Sequence, residues 1–152
     1  MNKINPKIGY YLAGFVDGEG SFNVSLRKRS DHNLGWQVVL TFNVSQKDKT
    51  ILALLKKYLG CGRLQERKDG VWYYVVTDYK MINKNVIPFF EKFNFLSAKT
   101  KNNFYLFKKI AKILNSGEHL QKDGFKKIVE LREKLNLGHG RKRKYSINNI
   151  NN

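Results

Sequence analysis

The sequence predicts an α+β fold in which helices cover one face of an antiparallel sheet and leave the other face open. Two observations carry this prediction. Two pairs of neighbouring segments alternate apolar and polar residues, which is typical of half-buried strands. Each pair is flanked by segments whose apolar residues recur at helical spacing. The predicted order is an αββαββα core followed by extra C-terminal helices.

The composition predicts one domain with a nucleic-acid partner. The 152 residues are 41% hydrophobic, enough to bury a core, and their net charge is +17. Such an excess favours a polyanion, and nucleic acid is the first candidate. No signal peptide or transmembrane run is present, so we expect a soluble protein with no membrane partner. The domain is expected over residues 1–137, with residues 138–152 as a basic, flexible tail.

The first predicted helix begins near Pro6 and ends in a short run of small and acidic residues. Residues 12–20 read Leu-Ala-Gly-Phe-Val-Asp-Gly-Glu-Gly. Small residues recur four apart in this helix, which allows a second helix to approach closely. The acids fall at the C-terminal end, where unpaired carbonyls add negative charge. A hard-metal site is therefore plausible at this helix end.

The strands and later helices follow from local patterns. The first hairpin covers residues 20–29 and 36–45, and the second turns at Asp69-Gly70. A helix over residues 48–59 lies between them and stops at Gly60. After Asp78 comes a helix that Pro88 should kink or end, then one capped by Ser97, then one over about residues 122–135.

Residues 12–20 resemble the signature motif of the LAGLIDADG homing endonucleases. The pattern is matched by Leu12, Ala13, Gly14, Asp17, Gly18 and Gly20, with Glu19 at its final acidic position. Residues 86–93, Lys99 and residues 107–110 are similar to the family's C-terminal half. The resemblance spans roughly residues 10–114 and implies the LAGLIDADG fold, in which the open sheet face forms a saddle for DNA.

The single motif implies a homodimer, since single-motif members of the family pair their motif helices about a two-fold axis. We expect that interface to include Gly9, Leu12, Ala13, Gly14 and Asp17. Two-fold symmetry predicts a long pseudo-palindromic double-stranded DNA target, with half-sites of about 10 base pairs.

Alternation and resemblance together predict a DNA-reading sheet face. Its side chains are of the types that contact base edges and phosphates. The expected members are Asn23, Ser25, Arg27, Arg29, Gln37, Asn43, Gln65, Arg67 and Tyr73, with Arg141, Lys142 and Arg143 as further phosphate contacts from the tail.

The resemblance also implies a metal-dependent cut that leaves 3′ overhangs. Glu19, with the Gly18 carbonyl, is the expected metal ligand, and Mg²⁺ the expected ion. Mn²⁺ is expected to substitute, and Ca²⁺ to support binding without cleavage. Gln46 and Lys99 match the family's other catalytic positions. Thr50 departs from the pattern, where a basic residue is usual, and Lys47 or Lys49 are the open alternatives.

Two other functions compete with the nuclease. One is an RNA-binding maturase that assists its own intron without cutting, with intron RNA as partner. The other is a DNA-binding regulator. The acids together with Gln46 and Lys99 favour the enzyme, since a pure binder does not need them. The resemblance implies a group I intron origin in a chloroplast or mitochondrion, and leaves the target sequence and the number of metals open.

Overall fold

The sheet has four antiparallel strands in the order β1-β2-β4-β3 in the computed structural model, which describes residues 3–137 and 143–150. The strands are β1 Gly20–Lys28, β2 Trp36–Gln46, β3 Arg63–Glu66 and β4 Trp72–Val76. β1 and β2 pair along their length, from Gly20 opposite Val44 to Lys28 opposite Trp36. The α+β architecture expected from the alternating segments is confirmed.

Strand register separates an apolar face from a polar one. Phe22 lies opposite Phe42 on the face that the helices cover, and both are buried. Ser21 lies opposite Asn43 on the other face, which we call the outer face. Because successive side chains in a strand alternate sides, every second residue of each strand belongs to the outer face.

The helices begin where side chains accept hydrogen bonds from free backbone N–H groups. Asn5, Asp48 and Ser97 cap three of them. The helices are α1 Pro6–Glu19, α2 Lys49–Leu59, α3 Tyr79–Met81, α4 Ile87–Lys92, α5 Ala98–Ser116, α6 Lys122–Glu133 and α7 Ile147–Ile150. None of them, within the described ranges, is long and apolar enough to cross a bilayer.

Pro88 follows a π-helical turn. Residues Ile82–Val86 form this turn between α3 and α4, and the Ile87 N–H donates to the Ile82 carbonyl five residues earlier. Proline cannot donate and clashes with the carbonyl four residues before it. The wider turn accommodates both effects, so the helical path continues through Pro88.

Aromatic rings dominate the main core. Phe22 from β1 stacks on Phe42 with ring centroids 5.1 Å apart, and its ring also meets Phe107 of α5 at 5.0 Å. Such contacts add to the free energy of burial. The core thus fastens α4 and α5 against the hairpin that begins directly after α1.

Residues 143–150 pack on the first hairpin, where the sequence predicts a flexible tail. Ile147 and Ile150 contact a smaller cluster formed by Leu26, Phe125 and Val129. The Tyr145 ring meets Trp36 edge-on at 4.9 Å. Apolar residues inside an otherwise polar stretch supply this burial.

The free edge of β1 is covered by side chains that follow from α6. Arg132 Nε donates to the Val24 carbonyl at 2.9 Å, and Asn136 Nδ2 donates to the Phe22 carbonyl at 2.8 Å. Arg132 is only 3% exposed, and burial lowers the pKa of its guanidinium. These contacts join the end of α6 to the strand that leads out of α1.

Candidate nucleic-acid interface and catalytic site

The outer face carries most of the residues that the sequence assigns to DNA reading. Arg27 lies opposite Gln37, and Gln65 lies opposite Tyr73. The register also places Asn23, Ser25 and Asn43 on this face. Their side chains are partly or fully exposed. The face therefore offers amides, hydroxyls and guanidinium groups together, which is the chemistry that base edges and phosphates require.

Two of the predicted arginines are held by aspartates at the hairpin turns. Arg29 forms a bidentate pair with Asp31, with N–O distances of 2.9 and 2.8 Å. The hydrogen bond from Arg29 lowers the pKa of Asp31 to about 2. Arg67 donates to Asp69 at 2.7 Å. Both pairs are about half exposed, so a phosphate can compete with each aspartate for the arginine.

Arg63 belongs to the outer face, although it is not among the DNA-reading residues that the sequence predicts. It lies opposite Val75 on the same side as Gln65, and it is exposed. Burial raises the pKa of the neighbouring Tyr73, while the charges of Arg63 and Arg67 partly offset that effect. The alternation that identified Gln65 and Arg67 also applies to Arg63.

Glu19 is the last residue of α1 and is exposed. In the described ranges its carboxylate takes part in no ion pair or hydrogen bond. Gly18 is also exposed and lies in the last turn, where helix carbonyls lack intrahelical donors. A free carboxylate thus stands beside backbone oxygens at the negative end of a helix.

Asp17 fastens the end of α1 to the start of α5. Its carboxylate accepts backbone N–H bonds from Leu96 at 3.1 Å and Ser97 at 3.0 Å, and also accepts the Ser97 hydroxyl. The Thr100 hydroxyl donates to the Asp17 carbonyl at 3.2 Å. Burial raises the pKa of Asp17, but these bonds outweigh it and leave the pKa below its ordinary value. We call this set of bonds the Asp17 clasp.

The clasp and the strand register bring Lys99 and Gln46 to the same end of the sheet as Glu19. Lys99 stands between Ser97 and Thr100, is exposed, and lines a groove of about 580 Å³ together with Asp17 and Gly18. Because Gly20 pairs with Val44, β2 ends at Gln46 beside the end of α1. The Gln46 side chain accepts the Lys47 N–H at 2.9 Å, and Asp48 is the cap of α2.

The side chain of Lys49 is held near Gln46 through a contact with an aromatic ring. Its Nζ lies 4.4 Å from the centroid of Trp72, and Trp72 lies opposite Gln46 in the sheet. The Thr50 N–H donates to Asp48 as part of the helix cap. Of the two lysines that the sequence left open, Lys49 therefore has a cation–π contact that holds it at this end of the sheet.

The donor set suits a hard cation that keeps most of its water. The described residues contain no cluster of three or more His, Cys, Asp or Glu side chains able to enclose a metal. Mg²⁺ is usually held by one or two carboxylates and completes its shell with water and phosphate oxygens. Glu19 and the Gly18 carbonyl fit that mode of binding.

The structure corrects part of the expected dimer interface. Gly9, Leu12 and Ala13 are buried inside this chain, and a Cβ on Gly9 would overlap the ring of Phe93. They pack in the core and cannot offer a surface to a second copy. Asp17 is committed to the clasp. The exposed side of α1 instead carries Tyr10, Tyr11, Gly14 and Gly18.

Arg143 in the tail bonds other residues of this chain, whereas the sequence predicts that it contacts phosphate. Arg143 pairs with the Glu133 carboxylate at 3.3 Å and also donates to the Leu135 carbonyl. Its guanidinium is thus committed to the protein. Arg141 and Lys142 lie outside the described residues.

A family model and several known proteins match this sequence. The family model described as LAGLIDADG endonuclease matches residues 12–111. The chain is 34% identical over 140 residues to probable intron-encoded endonuclease 3 of Neurospora crassa, covering 90% of this chain and 25% of that protein. It spans between 25% and 32% of the length of the first three curated relatives.

Solved structures of homing endonucleases also match this chain. The archaeal intron-encoded homing endonuclease I-Vdi141I complexed with DNA superposes with a TM-score of 0.85 at 34% identity, covering 95% of this chain and 91% of that one. I-SmaMI bound to an uncleaved DNA target with calcium ions gives a TM-score of 0.80 at 33% identity, covering 91% of this chain and 47% of that one. The chain belongs to the LAGLIDADG endonuclease family.

Proposed function

We propose that this protein is a homing endonuclease that makes a metal-dependent, staggered double-strand cut at one long DNA site. The single observation behind the proposal is that an open, basic sheet face ends beside an exposed lysine, Lys99, and the Glu19 carboxylate, which has no ion pair or hydrogen bond within the described residues. DNA lying along the outer face would present its backbone to those two groups. The family membership and the DNA-bound relative support this function.

The active form is proposed to be a homodimer joined through α1. Gly14 and Gly18 have open space where a Cβ would be, which allows a partner helix to approach closely. Tyr10 and Tyr11 on the same side are more than half exposed, so they have apolar surface to bury. The match to only 47% of I-SmaMI supports a two-unit assembly, because that chain has room for two such domains.

Each side chain at the site has a distinct proposed task. Glu19 and the Gly18 carbonyl hold Mg²⁺, which when bound would activate water and stabilise charge on the scissile phosphate. Lys99 offsets negative charge as the phosphate is attacked, and Gln46 orients the attacking water. Two Glu19 carboxylates at the dimer axis would repel each other without cations, which favours metal binding in the complex. Mn²⁺ is expected to replace Mg²⁺, and Ca²⁺ to support binding alone.

The names of relatives favour an intron origin. Several carry the words intron-encoded or intron, including one in an ND4 intron and one in a cox1 intron. We infer that this protein is likewise encoded in an intron, with a group I intron of an organelle as the expected setting.

The decisive test is selection of cleaved sites from a DNA library randomised around a two-fold centre. Wild type should cut one long pseudo-palindrome in Mg²⁺ and bind the same site uncut in Ca²⁺. Glu19→Gln should bind but not cut, while Glu130→Gln, which removes an exposed carboxylate from α6, should cut normally.

Other outcomes separate the competing functions. Cutting by Glu19→Gln at the wild-type rate would refute the assigned metal ligand. Specific binding by wild type without any cut would indicate a regulator. Absence of specific DNA binding would refute the proposal, and the next assay would then use intron RNA.

A further inference from the structure

Four asparagines form a continuous hydrogen-bonded chain from α5 to the outer face. Asn103 and Asn136 exchange two bonds, Asn136 donates to Asn23 at 3.2 Å, and Asn23 donates to Asn43 at 3.1 Å. We call this chain the asparagine relay. Its first member is buried in α5, and its last belongs to the proposed DNA-reading surface.

Backbone groups determine which way each amide of the relay points. The Asn136 N–H can only donate, so the Asn103 oxygen must face it, at 3.1 Å. Asn103 Nδ2 then donates to Asn136 Oδ1 at 2.8 Å, which leaves Asn136 Nδ2 on the opposite side. That Nδ2 meets the Phe22 carbonyl, which can only accept. Two fixed backbone partners thus set the orientation of Asn136.

The orientation propagates to the outer face. Asn136 Nδ2 faces Asn23 Oδ1, so Asn23 turns its own Nδ2 toward Ser21 Oγ at 2.9 Å and Asn43 Oδ1 at 3.1 Å. Asn43 thereby has its oxygen turned toward Asn23, which engages one of the two lone pairs of that oxygen. Over the described ranges, no side chain or backbone oxygen accepts a hydrogen bond from Asn43 Nδ2, which leaves it as a donor for a ligand.

We propose that the asparagine relay makes Asn43 a donor-only reader and that Asn136 is a specificity-determining residue of this protein, although it lies off the outer face. This inference rests on the proposed DNA-binding function. An asparagine with both amide groups free pairs with adenine, which offers one acceptor and one donor. A donor-only amide instead suits guanine, whose N7 and O6 both accept, and the keto oxygen of thymine, whereas at adenine it can bond only N7 and leaves the N6 donor without a partner. The relay therefore favours a keto base over adenine or cytosine at the position that Asn43 contacts.

The backbone at Asn136 permits a clean test. Its φ of 54° lies in the left-handed region, which glycine adopts without strain. Asn136→Gly keeps the backbone N–H that bonds Asn103 but removes the amide that orients Asn23. Asn136→Asp keeps the shape but offers only acceptors, so it loses the bond to the Phe22 carbonyl. It should also turn Asn23 round and leave the Asn43 oxygen free.

The experiment is site selection by binding in Ca²⁺, followed by sequencing, with the full chain. Asn43→Ala identifies the half-site position that depends on this residue. At that position wild type should favour keto bases by about three- to tenfold, the range expected for one or two hydrogen bonds. Asn136→Gly should reduce this preference to within about twofold, and Asn136→Asp should shift it toward adenine.

The outcomes separate this inference from the proposed function. Wild-type base preference in both Asn136 variants at the Asn43 position would overturn the relay while leaving the nuclease intact. If Asn43→Ala changes the base preference at no position, that result would also overturn the relay and leave the nuclease intact. Failure of wild type to select any site would overturn both. The internal control is the base preference at the DNA position that Gln37 contacts. It should stay unchanged in the Asn136 variants, because Gln37 lies outside the relay.

Discussion

Asp17 accepts two hydrogen bonds from Ser97, one from its backbone N–H at 3.0 Å and one from its hydroxyl. Ser97 is also the N-cap of α5, where its hydroxyl accepts the Thr100 N–H at 3.3 Å. One acid of the motif therefore joins two helices, and the other, Glu19, makes no hydrogen bond or ion pair within residues 3–137 and 143–150. The two contacts with Ser97 explain why two acids that are only two residues apart have different surroundings.

Replacing Asp17 by asparagine should lower the free energy of unfolding by about 1–2 kcal/mol at neutral pH, because hydrogen bonds to a carboxylate are stronger than those to an amide. The hydrogen bonds of the clasp hold the pKa of Asp17 in the folded protein below the ordinary value of an aspartate. A lowered pKa stabilises the folded state above the unfolded-state pKa, and this contribution is lost as the pH falls through the folded-state pKa.

Urea unfolding at several pH values checks this prediction. The stability difference between wild type and Asp17→Asn should stay constant above about pH 5 and shrink below about pH 4. A difference that persists unchanged down to about pH 2 would mean that the carboxylate charge does not strengthen the clasp.

Gly9 and Gly14 of α1 should respond in opposite ways to substitution by a larger residue. Gly14→Leu places its side chain in open space, so the fold should tolerate it, but a partner helix could no longer approach closely. Gly9→Ala should instead cost about 1–3 kcal/mol of stability, because its Cβ overlaps Phe93 within the same chain.

Analytical ultracentrifugation with chemical unfolding distinguishes these effects. Gly14→Leu should sediment as a folded monomer at concentrations where wild type is a dimer. Gly9→Ala should unfold at lower denaturant. A Gly14→Leu dimer as tight as that of wild type would place the subunit contact elsewhere.

Lys99→Ala should slow cleavage by about 10²- to 10³-fold, the loss typical when a group that stabilises developing charge is removed. Binding in Ca²⁺ should be nearly unchanged. Lys101 is two residues away but lines a different groove, between α4 and α5. Single-turnover rates of Lys101→Ala should therefore match wild type, and an equal loss in both variants would argue for a general charge effect.

Arg132→Lys should destabilise the protein by about 1–3 kcal/mol, because lysine cannot bond both the Val24 and Tyr145 carbonyls as the guanidinium does. Hydrogen exchange should show faster opening of residues 143–150. Arg143 is more exposed than Arg132, so Arg143→Lys should cost less than Arg132→Lys. Equal losses would mean that the bonds of the buried Arg132 contribute no more than those of Arg143.

Local patterns were enough to predict the hairpins and most of the helices. Phe22, Val24 and Leu26 alternate with polar residues, and the burial of β1 follows that alternation. The spacing of residues in α1 does not predict which side of this helix faces the core. Small residues recur four apart on two of its stripes, and only the distant Phe93 shows that Gly9 is on the inner one.

Long-range polar contacts were also beyond prediction. The bond from Asn136 to the Phe22 carbonyl joins residues 114 positions apart, and no periodicity marks either partner. The packing of residues 143–150 on the first hairpin could not be predicted either, because a basic, asparagine-rich segment is typical of a flexible tail. The alternation that indicates Gln65 also extends to Arg63, so the local pattern is sufficient to predict Arg63 on the same face.

The coverage of β1 by Asn136 and Arg132 has a consequence for solubility. β1 is the outermost strand on its side of the sheet, and an exposed edge of nine residues would be a template for strands from other molecules. With the Phe22 and Val24 carbonyls already engaged, that edge cannot readily seed intermolecular β-pairing. Variants that uncover it should aggregate at concentrations where the wild-type protein stays in solution.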